Sequence, residues 1–268
     1  DTAEEEVAKT APGALGEFDV VMVTDVSASM ASWHRASAGI PEDIAAKVRD
    51  RARVVLFTAL VAFEERLKCD KDAFAIGDEI VWFAARTTCK PGFVVEGANI
   101  DCWTLVSSPR YAAAEIARVP MQDPNTGAFI PQDMTYLREG PSAVLLDAFE
   151  RSLRAHGFRE SIPKVVYVGG QRWGSAFPAP AGVGGRDAKG RGDATVEVLD
   201  VAYDSAVGLP LAPEGAESLA RSAENFLADD VRGIYYAGDY VSPGLPGVES
   251  AALSGMEAAR HVATVWCA

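Results

Sequence analysis

Two short stretches carry side-chain and backbone groups that could do chemistry. In the first, the apolar run Phe18–Thr24 leads into Asp25-Val-Ser27-Ala-Ser29. A carboxylate and two hydroxyls at alternating positions are oxygen donors suited to a hard cation. Such an ion takes about six oxygens or more, so these three are too few on their own. In the second, Gly233–Ala237 reads as a buried strand ending in Gly238-Asp239. A turn with Pro243, Gly244, Pro246 and Gly247 follows, and then a helix whose first residues include Val248 and Glu249. A strand–turn–helix unit presents backbone N–H groups and the positive end of the helix dipole to whatever lies above the turn. Gly244 and Gly247 let the backbone come close to a ligand, and Ser254-Gly255 lets the helix pack tightly.

Other reactive patterns are missing. His34, His156 and His261 sit in separate segments with no i,i+4 pair to hold zinc, and no Gly-x-Ser-x-Gly elbow supplies a serine nucleophile. The loop Ala181–Asp193 is rich in glycine but lacks the Gly-x-x-x-x-Gly-Lys-Ser/Thr phosphate cradle. Its Gly182, Gly184 and Gly185 lack the third glycine of a dinucleotide fingerprint and follow Pro-rich sequence instead of a strand. Arg191-Gly192-Asp193 spells an adhesion tripeptide, but the segment reads as a surface loop. No metal is expected anywhere in the chain.

The elements that must position the second stretch are of mixed type. Phe18–Thr24 is Val-rich, as in a strand covered on both faces. Pro41–Arg53 reads as a helix with Pro in its first turn. Val54–Phe63 is apolar throughout, and periodicity leaves strand and buried helix open. Ile80–Arg86 and Cys102–Ser107 read as neighbouring antiparallel strands joined through the Pro91-Gly92 turn. Pro109–Arg118, Ser142–Ala155, Gly215–Ala228 and Val248–Val265 read as helices. Lys164–Val168, Leu199–Tyr203 and Gly233–Ala237 read as strands.

Composition bounds the rest. The chain has 268 residues, 49% hydrophobic and 24% charged, which suits a soluble globular protein with a large core. A net charge of −13 argues against a broad nucleic-acid or anionic-membrane surface. The four cysteines show no C-x-x-C spacing and read as reduced thiols. The longest apolar run, Val54–Phe63, is too short for a transmembrane segment. The acidic stretch Asp1–Gly16 reads as a tail or linker, and the start at Asp1 rather than Met fits a processed chain.

Two resemblances attach to these residues. Asp25, Ser27 and Ser29 resemble the metal-ion-dependent adhesion site of von Willebrand A domains. That site also needs a later apolar strand ending in an acid, and Lys164–Gly170 ends in glycines. The segment Gly233–His261 resembles the C-terminal flavin-binding motif of the FAD-dependent amine oxidase superfamily. That resemblance implies that Gly238 and Asp239 meet the ribityl–pyrophosphate region of FAD, with Gly247, Val248 and Glu249 at the pyrimidine end of the isoalloxazine. Trp82–Pro91, Trp103–Pro109 and Gln171–Pro180 follow in the order of the renalase-like branch. In that branch they line the substrate side, which makes Arg86, Lys90, Arg172 and Trp173 the substrate-pocket candidates.

One departure shapes the expectation. The superfamily begins with a strand, Gly-x-Gly-x-x-Gly and a helix that hold the FAD pyrophosphate, and that unit is absent here. The chain therefore resembles the C-terminal half of such a flavoprotein. The expected fold class is α/β: a partial Rossmann-like FAD-domain sheet with an inserted mixed or antiparallel substrate-type sheet and helices. Residues 1–17 form the tail, 18–63 and 229–268 the FAD-domain-like part, and 64–228 the substrate-domain-like part. The expected activity is hydride transfer from an amine or reduced nicotinamide-like small-molecule substrate to FAD, with FAD binding incomplete on this chain alone. The alternative is a non-catalytic structural or assembly subunit with protein partners in a larger complex, such as an organellar membrane assembly in a plastid or mitochondrion after transit-peptide removal. A von Willebrand A-like adhesion module ranks third.

Overall fold

Pleat alternation organises the larger of two sheets. In β2 (Arg53–Phe63) the residues Phe57, Ala59, Val61 and Phe63 are buried, while Thr58, Leu60 and Ala62 between them keep some exposure. Successive side chains on a strand point to opposite faces, so one face of β2 is a core face and the other is not. The computed structural model describes residues 16–26, 40–49, 51, 53–93, 99–121, 123, 125, 130–158, 161–179, 225–242 and 246–267.

The larger sheet has the order β3-β4-β5-β2-β6, with β3 at Ala73–Ala75, β4 at Val81–Arg86, β5 at Asp101–Ser107 and β6 at Val165–Pro178. Every pairing in it is antiparallel. Its core face is covered by α2 (Pro109–Arg118) and by α3 (Met134–Leu137), which passes through a π turn at Arg138–Ser142 into α4 (Ala143–Ala155). Helix α2 starts where the sequence stops it from starting earlier. The Ser108 hydroxyl accepts the Tyr111 N–H at 3.1 Å, and Pro109 occupies the first position, where a missing N–H costs nothing. Beneath α4, Trp103 stacks on Phe74 with ring centroids 5.9 Å apart and meets Phe149 at 5.4 Å.

The smaller sheet has the order β1-β8-β7, with β1 at Val21–Val23, β7 at Phe226–Asp229 and β8 at Ile234–Ala237. Strand β1 runs parallel to β8, and β7 runs antiparallel to it. A helix covers each face. Helix α1 (Glu42–Arg49) brings Ile44 and Val48 against Tyr236 and Tyr240, while α5 (Val248–Trp266) brings Ala258 against Phe226 and Tyr235. Tyr235 and Tyr236 are adjacent, so the pleat sends one ring to each helix.

The architecture is mixed α/β with two sheets. Several sequence expectations change in detail. Val54–Phe63 is a strand, and it pairs on both sides within the larger sheet, so that sheet starts at Arg53 and not after residue 63. The strand expected at Lys164–Val168 runs on through Gly169-Gly170 to Pro178. The helix expected over Gly215–Ala228 ends, in its described part, in strand β7. Leu199–Tyr203 and the loop Ala181–Asp193 lie outside the described residues. Among the described residues no helix is long and apolar enough to cross a membrane.

Candidate functional site

Polar groups tie down the backbone just after β8. Gly238 has φ +146°, a conformation that side-chain-bearing residues rarely adopt, and its N–H donates to Ser254 Oγ at 2.8 Å. Ser254 Oγ in turn donates to the Asn225 carbonyl, so one hydroxyl ties helix α5 to the ends of β7 and β8. Asp239 is half-buried. Burial pushes its carboxyl pKa up, against the N–H groups of Asp239, Gly247 and Tyr240 and the nearby Arg51 charge. Gly247, with φ +149°, stands before the first turn of α5, and its carbonyl accepts the Ala251 N–H at 3.0 Å. Val248 is 89% exposed and Glu249 is exposed too. The N–H groups in a first turn have no acceptor within their own helix, and at Val248 and Glu249 this end of α5 faces outward.

Arg51 joins this loop to the larger sheet. Its guanidinium donates to the Ser242 carbonyl at 3.3 Å and to the Ala179 carbonyl, just past β6, at 3.1 Å. Burial lowers its pKa, and the Asp239 carboxylate works in the other direction.

The four substrate-side candidates scatter. Arg86 is 2% exposed and spends its donors inside the protein: on Asp72 at 2.6 Å, Asp101 at 3.2 Å, the Leu67 carbonyl at 3.0 Å and Cys69 Sγ at 3.3 Å. Its guanidinium also lies 4.9 Å from the Trp103 ring centroid. Burial works against its charge, but Asp72 and Asp101 outweigh it and raise its pKa. Asp101 is equally buried and accepts from Leu67 N, Trp103 Nε1 and Thr88 Oγ1 as well. Lys90 is exposed in the turn after β4. Arg172 is 5% exposed on the core face, where its Nη2 donates to the Ile130 carbonyl and its Nε has no hydrogen bond. Burial lowers its pKa, offset only by Tyr136. Trp173 is 46% exposed on the opposite face, its Nε1 donating to Thr58 Oγ1 at 3.0 Å.

That opposite face carries residues that the sequence reading did not single out. Leu60, Phe83, Tyr167 and Trp173 are all large, apolar and between 39% and 58% exposed. The register sets Leu60 against Thr104 and Gly169, Phe83 against Val106, and Tyr167 against Ala62, which places them on one face. No local signal marked this face, since Val54–Phe63 is apolar on both sides of the pleat and only the burial pattern separates them. On the core face, Glu115 accepts from Arg118 and from the Tyr136 hydroxyl. The Arg118 hydrogen bond, opposed by burial, holds the Glu115 carboxyl below its usual range. Burial and the Glu115 charge push Tyr111 up to about 12.

The three-oxygen stretch stays undeveloped. Asp25 is described, whereas Ser27 and Ser29 lie outside the described residues, and β6 carries no acid. Among the described residues no group of three His, Cys, Asp or Glu side chains could hold a metal ion.

No family model matches the chain, and no curated protein matches it. The chemistry rests on the groups themselves. The space in front of Gly247 is open, since a Cβ placed there would meet nothing within 4 Å. Asp239 is already engaged by the N–H groups of its own loop, so it presents at most its outer lone pairs to a ligand.

Proposed function

We propose that the chain is a flavin-dependent oxidoreductase-like protein of the amine oxidase type, renalase-like, that is incomplete for FAD binding alone. The observation that carries this reading is the pair of ties on either side of the turn after β8. The Gly238 N–H is held by Ser254 Oγ and the Gly247 N–H by the Asp239 carboxyl, with Val248 at the start of the long helix α5 exposed. Gly238 and Asp239 would lie along the ribityl chain, and the backbone of Gly247, Val248 and Glu249 would face the pyrimidine edge. Bound FAD would supply the acceptor for a hydride from an amine or reduced nicotinamide-like small molecule. The dipole of α5 favours negative charge at that edge. Trp173 and Tyr167 would form the substrate wall, with Arg86 and Arg172 holding the sheet from behind and Lys90 at its rim.

Titration of the protein with FAD, followed by flavin fluorescence and the band near 450 nm, tests the reading. Saturable quenching is expected, and it should weaken in Val248→Glu, which puts a negative charge at the exposed start of α5. No quenching up to about 1 mM FAD would sink it.

A second reading is a non-catalytic structural or assembly subunit of a larger, organellar membrane complex. The sheet face with the exposed side chains of Leu60, Phe83, Tyr167 and Trp173 favours it, since several large apolar groups on one open face suit a partner surface. A native pull-down that brings partners but no flavin would support it, and a monomeric, flavin-loaded native protein would exclude it.

A further inference from the structure

Strand β3 forms one edge of the larger sheet, and its outward main-chain groups can be assigned from its pairing. Arg86 N donates to the Asp72 carbonyl and Ile76 N to the Trp82 carbonyl, both at 2.7 Å. Hydrogen-bonded pairs alternate along an antiparallel ladder, so Asp72, Phe74 and Ile76 bond β4. Ala73 and Ala75 then direct their N–H and C=O groups away from β4, over the open edge. Both alanines are exposed.

Edges of this sort are usually blunted by proline, by an inward charge or by a bulge. Strand β3 is Ala-Phe-Ala, and its pairing with β4 has no register shift. Among the described residues its protection is shortness and the charged Asp70-Lys71-Asp72 before it. Directly beside the edge lies a cavity of about 440 Å³, bounded by Ala73, Ala75 and Ile76 on one side and by Phe149, Leu153 and His156 of the α4 region on the other. This volume lies in the usual range for a ligand site, about 300–1,000 Å³. His156 Nδ1 lies 2.7 Å from the Ser152 carbonyl, which accepts from it.

We propose that this groove binds an extended peptide segment, which adds to β3 as a further strand with alternate apolar side chains seated against α4. Two features commit the site to that occupant. The N–H and C=O groups of Ala73 and Ala75 match only another main chain in β conformation. The apolar floor beside them lies where every second side chain of an added strand would fall. At about 3.3 Å per residue, a segment of about five residues spans the edge. The binding needs no flavin and stands apart from the loop after β8.

The test uses the whole chain and a fluorescein-labelled, N-acetylated peptide of alternating valine and threonine flanked by lysines. Saturable anisotropy is expected, with amide shifts at Ala73 and Ala75. A version of the peptide N-methylated on alternate residues keeps its side chains but loses its donors, and it should bind about tenfold or more weakly. Ala75→Pro should weaken binding as much without loss of secondary structure, because the deleted N–H faces outward and β4 pairing is untouched. If that variant misfolds, the N-methylated peptide alone decides. Equal affinity for both peptides, no saturation by about 1 mM, or shifts confined to other surfaces would overturn the proposal. So would a concentration-dependent dimer that buries the same edge, because the occupant would then be a second copy.

Discussion

Arg172 and Trp173 are consecutive on β6 and lie on opposite faces of the larger sheet: the guanidinium is 5% exposed among the core helices, and the indole is 46% exposed on the open side. Two neighbours on one strand cannot both line one pocket.

That relationship separates their substitutions. Trp173→Ala should leave stability within about 1 kcal/mol of the parent, as expected for a half-exposed side chain, while weakening any ligand held on the open face. Arg172→Met should also stay within about 1 kcal/mol, because it removes a desolvated charge with no carboxylate partner among the described residues and sacrifices one hydrogen bond to Ile130. Urea denaturation measures both. A loss of about 3 kcal/mol in Arg172→Met would mean that the buried charge is compensated after all.

Arg86 behaves in the opposite way. Asp101→Ala strips the buried guanidinium of its buried carboxylate and leaves the Leu67 and Trp103 donors unanswered. A cost of about 3–5 kcal/mol is expected, read as a lower urea midpoint with an unchanged slope. An effect below about 1 kcal/mol would remove Arg86 from the core and return it to the candidates for ligand binding.

The paired glycines of β6 give a sharper contrast. A Cβ on Gly169 would meet the Tyr167 hydroxyl at 2.5 Å, the far end of a side chain that can swing away. A Cβ on Gly170 would meet Ser142 Oγ at 2.5 Å and the Leu137 carbonyl at 2.9 Å, and a backbone atom cannot give way. Gly169→Ala should be near neutral, and Gly170→Ala should cost about 1–3 kcal/mol. Adding Ser142→Gly should recover part of that loss and not all. Thermal melts of the three proteins check the order.

Acid stability should depend on Glu115. Its folded pKa lies below the unfolded value, held there by Arg118 and Tyr136 against burial. The stabilisation is therefore present above the unfolded pKa of about 4.3 and is lost as pH falls through the folded one. Glu115→Gln should lower stability at neutral pH, flatten the acid limb, and converge with the parent once pH has fallen through the folded pKa. Parallel curves across that range would contradict the pairing.

How much of this was legible depended on whether a signal was local. Ser108-Pro109 marks a helix start by chemistry contained in four residues, and Pro109–Arg118 falls where the sequence places it. Ile80–Arg86 and Cys102–Ser107 show as partners because a Pro-Gly turn lies between them. Gly169-Gly170 reads as a loop in isolation. It is strand because Tyr167 folds over one glycine and the π turn packs on the other, and both contacts come from the tertiary structure. Phe226–Asp229 has too few residues to declare a period, and its pairing with β8 decides it. In the candidate site, the strand–turn–helix frame around Gly238, Asp239 and Val248 was visible in glycine and proline spacing. The buried lock formed by Arg51 was not, since its acceptors, Ser242 and Ala179, are backbone carbonyls that any residue could supply.

The parallel pairing of Val21–Val23 with Ile234–Tyr236 has a consequence for how the chain folds. The larger sheet contains β3-β4 and β4-β5 ladders between near neighbours, whereas the smaller sheet waits for a strand made almost at the other end of the chain. Closing so long a loop is slow and entropically costly, so the five-stranded unit gains its contacts first. During synthesis Val21–Val23 leaves the ribosome long before its partner Ile234–Ala237, which exposes it to off-pathway pairing in the interval.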